Sequence, residues 1–138
     1  MIDLKELVIY TKKMNLLYVE DDAIVRITTM ELLENMFENI VVATDGEDAL
    51  ELYRMEYQNV KKYFDIVITD ISMPNLNGYD MSKEILLINP NQKIIAMTAY
   101  EDKAKVELLL DMGIVDIIKK PISFNEVIKA FNKIVTIL

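Results

Sequence analysis

The chain has no cysteine and no histidine among its 138 residues. The first absence excludes disulfides, thiolate zinc sites and cysteine nucleophiles, and the second removes the usual general base and the commonest metal ligand. Positive charge is scarce too. Fifteen basic residues face 23 acidic ones, and the resulting net charge of −8 repels phosphate backbones, which argues against nucleic-acid binding by this chain itself. No apolar run approaches the roughly 20 residues that a membrane-spanning helix needs, and the opening MIDLKELVIYTKK lacks the order of a signal peptide. A soluble, cytoplasmic protein with no membrane partner is the expectation. The sequence also lacks low-complexity tracts, internal repeats and an interdomain linker, and its 52% hydrophobic content suffices for the core of one domain. The nine methionines are read as filler of that core.

What is present is an alternation of two patterns. Short runs rich in Val and Ile predict strands at 15–19, 40–43, 65–69, 93–97 and 115–119. Between and after them, apolar residues recurring at three and four positions predict helices at 22–38, 46–57, 79–89, 101–112 and 123–137. Phe124, Val127, Ile128, Phe131, Ile134 and Val135 show this spacing in the last helix. The punctuation agrees: Ser123 and Glu126 have capping-box spacing, Ile122 and Val127 can form a hydrophobic staple, Gly113 suits the position after a helix, and Pro90 stops one. Leu4, Leu7 and Val8 predict a short extra helix in an N-terminal extension, residues 1–13, ahead of the main domain at 14–138. The stretch YQNVKKYF, 57–64, is expected to be a surface loop or a frayed helix end.

Alternating βα units fold into an α/β domain with a doubly wound parallel sheet and helices on both faces. Ligands of such sheets sit beyond the carboxyl ends of the strands. Here the first strand is followed by Glu20, Asp21 and Asp22; the third ends at Asp70, the fourth at Thr98 and the fifth at Lys119, Lys120 and Pro121. Each residue has a plain structural use, as a helix cap or a solvated strand end. Together they put carboxylates, a hydroxyl and an ammonium on one edge of the sheet. Clustered carboxylates stay ionised only if a cation or hydrogen bonds offset their repulsion, and oxygen ligands without His or Cys favour Mg²⁺. A lysine and a threonine aimed at the same point suit the remaining oxygens of a phosphoryl group, with a carboxylate as nucleophile.

The stretches LLYVEDD, DIVITDISMPNLNGYD, MTAY and KKPIS stand at four strand ends in this order. By these motifs the chain resembles a response-regulator receiver domain of two-component signalling, over roughly residues 14–137. The resemblance implies a flavodoxin-like, five-stranded sheet of strand order 2-1-3-4-5. It implies that Asp70 accepts a phosphoryl group and that the domain then switches conformation to control an output. Mg²⁺ would be held by Glu20, directly or through water, by Asp21, by Asp70 and by the backbone carbonyl of Ser72. Thr98 matches the hydroxyl that follows the phosphoryl group on activation, and Lys120 the phosphate-binding lysine. Pro74 and Gly78 match residues that shape the loop after the phosphosite, and the Lys120–Pro121 bond matches one usually cis. Ser72 and Tyr100 match two positions flanking the path of the water that attacks the acyl phosphate. The implied donor is a sensor histidine kinase or a phosphotransfer protein, or a small phosphodonor, since the chain has no histidine of its own. A homodimer is compatible with this reading. With no output domain visible, the expectation is a stand-alone regulator or the receiver part of a longer protein.

Two departures from the family pattern stand out. Many receivers carry a Tyr or Phe three residues before the lysine, as part of the switch, where this chain has Ile117. The segment between Gly46 and Asp65 is also slightly long, with the extra residues assigned to YQNVKKYF. Readings from other classes fit less well. A haloacid-dehalogenase-type phosphatase needs a second Asp two residues beyond the first, where Ser72 stands. A flavodoxin-like electron carrier needs a Gly- or Ser/Thr-rich phosphate loop after the first strand, where Glu20–Asp22 would repel phosphate. The runner-up is a degenerate receiver that acts as a protein-interaction module without phosphorylation.

Overall fold

Side chains of a strand alternate between two faces, and here both sets are apolar. In β1 (Asn15–Val19), Leu16 and Tyr18 point one way and Leu17 and Val19 the other, and all four are buried. Such a strand needs helices on both sides. The structure is a computed structural model that describes residues 2–73, 76–99 and 103–137. The other strands are β2 (Asn39–Ala43), β3 (Ile66–Asp70), β4 (Lys93–Thr98) and β5 (Asp116–Lys119). They form one sheet in the order β2-β1-β3-β4-β5, with every neighbouring pair parallel.

The helices are α1 (Leu4–Lys12), α2 (Ala23–Leu33), α3 (Gly46–Val60), α4 (Gly78–Ile88), α5 (Lys103–Met112) and α6 (Phe124–Ile137). Leu7 of α1, Leu33 of α2 and Val127, Ala130, Phe131 and Ile134 of α6 pack with Leu16, Tyr18, Ile66, Ile68, Ile95, Met97 and Ile118 on one face. Ala49, Leu50 and Tyr53 of α3, Met81 and Ile85 of α4 and Leu109 of α5 cover Leu17, Val19, Val67, Ile94 and Ala96 on the other. Because all strands run the same way, their carboxyl ends reach one edge together.

The element order and the 2-1-3-4-5 topology are those expected, while several boundaries move. The helix expected at 22–38 stops at Leu33, because Met36 and Phe37 turn into the core, where Phe37 meets Phe131 edge-on at 5.1 Å. The larger difference lies in YQNVKKYF. Its first four residues continue α3 to Val60, and Lys61, at φ 60, ends the helix in the left-handed conformation. Tyr63 then folds back to stack on Tyr57 at 4.4 Å and on Tyr53 at 5.1 Å. Aromatic stacking thus holds a segment whose polar composition suggested a loop or a frayed end. Of the helix expected at 101–112, residues 101 and 102 lie outside the described residues.

Candidate functional site

Glu20 leaves β1 at the sheet edge and is buried, its N–H donating to the Ala43 carbonyl at 3.1 Å. Asp70, the last residue of β3, is also buried and pairs in register with Met97 of β4. Two carboxylates this close in a dry environment need a cation, and Lys120 supplies it: its Nζ lies 2.8 Å from Glu20 Oε1 and 3.1 Å from Asp70 Oδ2. Burial pushes the Glu20 carboxyl up to about 7; the hydrogen bond from Lys120 opposes the rise and the Asp70 charge adds to it. Burial works against the Lys120 charge, but its hydrogen bonds to Glu20 and Asp70 outweigh that effect and hold its pKa above the ordinary lysine value. Asp21 is exposed beside them, and Glu20, Asp21 and Asp70 each offer an oxygen within 4.8 Å of the others.

The backbone around the cluster is fastened at several points. Asp22 caps α2, accepting from the N–H groups of Ile24 and Val25, and its own N–H donates to Glu20 Oε2 at 3.3 Å. The Ser72 N–H approaches Asp70 Oδ1 at 3.4 Å. At Gly78, which opens α4, the N–H donates to the Ile71 carbonyl at 2.9 Å, and an added Cβ would collide with the Asp70 carbonyl oxygen. Only glycine fits there. The Lys120–Pro121 peptide bond is cis.

A cavity of about 760 Å³ brings together Glu20, Asp21, Asp70, Ser72, Thr98 and Lys120. Ile117 is not part of its lining; it lies in β5 opposite Ala96 and packs, half-buried, on the face covered by α3, α4 and α5. Pro74 and Tyr100 lie outside the described residues. Sequence reasoning missed Arg26, whose Nη1 donates to the Glu20 carbonyl at 2.9 Å and approaches that of Asp21 at 3.4 Å. The available signal was a lone basic residue within an otherwise uncharged stretch of helix, four residues after the acidic triplet. Gly46 was used only to bound a helix, yet an added Cβ there would collide with the Leu76 carbonyl oxygen.

The comparisons with known proteins agree with this geometry. The family model for the response regulator receiver domain matches residues 16–132. The chemotaxis protein CheY of Thermotoga maritima is 37% identical over 119 residues, which cover 86% of this chain and 94% of that protein. The transcriptional regulatory protein ZraR of Salmonella typhimurium is 31% identical over 121 residues, 88% of this chain but only 26% of the relative. Among solved structures, a chain of the CheX–CheY–BeF₃–Mg²⁺ complex of Borrelia burgdorferi superposes with a TM-score of 0.74 at 27% identity, with 85% of each chain covered. A parallel 2-1-3-4-5 sheet with a carboxylate, lysine and threonine pocket at its edge, matched along nearly the whole chain, makes this protein a member of the response regulator receiver domain family of two-component signalling.

Proposed function

We propose that the chain accepts a phosphoryl group on Asp70 in a Mg²⁺-dependent reaction and changes conformation in consequence. The observation that carries this reading is the Asp70 carboxylate at the end of β3, 3.1 Å from Lys120 and within 4.8 Å of Glu20 and Asp21 oxygens. Three carboxylates with no nitrogen or sulfur donor fit Mg²⁺ by the chemistry of the donor set. Glu20, Asp21 and Asp70, with the Ser72 carbonyl, would hold it. When bound, the ion supplies charge that offsets the negative phosphoryl oxygens. The complex of the Borrelia relative with BeF₃ and Mg²⁺ supports the same pairing here by analogy.

The donor in this reading is a phosphohistidine of a sensor histidine kinase or a phosphotransfer protein. An Asp70 oxygen bonds to phosphorus while the phosphorus–nitrogen bond breaks, and the donor imidazole leaves. Lys120 and Thr98 take the phosphoryl oxygens through charge-assisted and hydroxyl hydrogen bonds. The domain is an acceptor that promotes its own phosphorylation and dephosphorylation, not an enzyme turning over a separate substrate. It works in the cytoplasm, where such kinases present their phosphohistidine. The near-full cover of CheY and the quarter cover of ZraR leave two outputs, a partner protein or an attached domain.

Acetyl phosphate with Mg²⁺ tests the acceptor. Intact-mass spectra should show one added phosphoryl group on the wild type and none on Asp70→Asn. Equal labelling of the two proteins would overturn the assignment.

A further inference from the structure

We propose that Arg26 is a positioning residue of the metal site: its guanidinium holds the peptide carbonyls of Glu20 and Asp21 on the α2 side, so that both carboxylates converge on Asp70. The inference rests on the metal reading above. Its geometric basis is the pair of contacts from Arg26 Nη1, 2.9 Å to the Glu20 carbonyl and 3.4 Å to the Asp21 carbonyl. These are neutral peptide oxygens, so the contacts orient backbone rather than neutralise a ligand.

The orientation matters because the connection from β1 to α2 is short and fixed at both ends. On the β1 side the Glu20 N–H is bound to the Ala43 carbonyl; on the α2 side Asp22 caps the helix and its carbonyl accepts from the Arg26 N–H at 2.9 Å. Between these anchors the tilt of the Glu20 and Asp21 peptide planes sets where their side chains point, with the Asp22 N–H on Glu20 Oε2 at 3.3 Å as a second contact on the latter plane. Arg26 acts on it directly. Both contacts come from one guanidinium nitrogen, whose two N–H groups lie in a fixed plane, whereas an ammonium is a compact rotor on a flexible stem. Arg26 is only half-buried, so its removal leaves the apolar core intact.

The sign of the effect separates positioning from electrostatics. Deleting a positive charge beside an acidic pocket makes that pocket more negative, and by charge alone Mg²⁺ should then bind more tightly. Loss of an orienting partner makes it bind more weakly, by about 10-fold where outer partners of metal ligands are removed.

The test is a Mg²⁺ titration at constant ionic strength, followed by NMR through the Asp22 amide that contacts Glu20, on wild type, Arg26→Ala, Arg26→Lys and Asp21→Ala. Urea melts report stability in parallel. We expect a Kd about 10-fold weaker for Arg26→Ala and a smaller weakening for Arg26→Lys, which keeps the charge but not the fixed plane of the donor nitrogen. An unchanged or tighter Kd in Arg26→Ala, with or without a lowered urea midpoint, overturns the inference. If Arg26→Ala does not fold, Arg26→Lys decides, and a wild-type Kd there overturns it. If Asp21→Ala binds Mg²⁺ as the wild type does, the metal reading itself falls and this inference with it. A loss in Asp21→Ala beside an unmoved Arg26→Ala refutes only the role of Arg26.

Discussion

Lys120 bridges two carboxylates, one directly after β1 and one at the end of β3. One ammonium against Glu20, Asp21 and Asp70 leaves the pocket net negative, and the raised carboxyl of Glu20 reflects burial more than that repulsion. Asp21 differs from its neighbours because it is exposed, so its removal relieves repulsion without leaving a buried partner unpaired. We expect Asp21→Ala to weaken Mg²⁺ binding at least about 10-fold while its urea midpoint stays level or rises. A midpoint well below wild type would show that Asp21 is needed for folding. That Asp70, Lys120 and Thr98 meet at one cavity was legible in the sequence because a parallel sheet delivers strand ends to one edge. The complete burial of Glu20 was not, since residue type alone does not say which carboxylate of an acidic triplet turns inward. Arg26 was only faintly legible for a related reason: its partners are backbone carbonyls, so its place four residues after the acidic triplet does not say what it binds.

Among the elements, α1 stands outside the alternating pattern. It precedes β1, so it approaches the sheet from the edge opposite the acidic cavity. Asp3 caps it, Leu7 is buried in the core beside α6, and the Thr11 hydroxyl donates to the Met36 carbonyl at 2.7 Å. This packing makes α1 a part of the folded unit. Leu7→Ala should cost about 2–4 kcal/mol in a urea melt and leave the Mg²⁺ Kd of the folded protein unmoved. A loss under about 0.5 kcal/mol would mean that α1 is only loosely held, as ordinary surface changes stay within that range. The helices and strands were readable from periodicity, whereas the end of α3 was not. Gln58 and Asn59 look like loop residues, and what keeps them helical is the contact of Tyr57 with Tyr63 beyond the helix. Periodicity within a segment carries no trace of a partner that returns from outside it.

At the scale of the whole molecule the question is where motion goes when charge arrives at Asp70. A phosphoryl group adds about −1.5 to −2 charge, which should draw Thr98 and Lys120 toward it. Ile117 has no ring or hydroxyl to follow Thr98, and its β-branched side chain has little χ1 freedom in a strand. The response should therefore run through the backbone from the end of β4 into α5. Beryllofluoride with Mg²⁺ should shift NMR signals strongly for Thr98, Ala99 and Lys103–Met112. Ile117→Val should change the shifted population little, and Ile117→Tyr more. Abolition of the α5 response by Ile117→Val would identify the isoleucine as the relay. The opposite side of the cavity is built differently. Gly46 and Gly78 admit the carbonyl oxygens of Leu76 and Asp70 into space that any side chain would fill. Backbone there rests directly on backbone. We therefore expect the receiver to work like a vice with one firmer jaw, the displacement that follows phosphorylation being smaller toward α3 and α4 than on the α5 side.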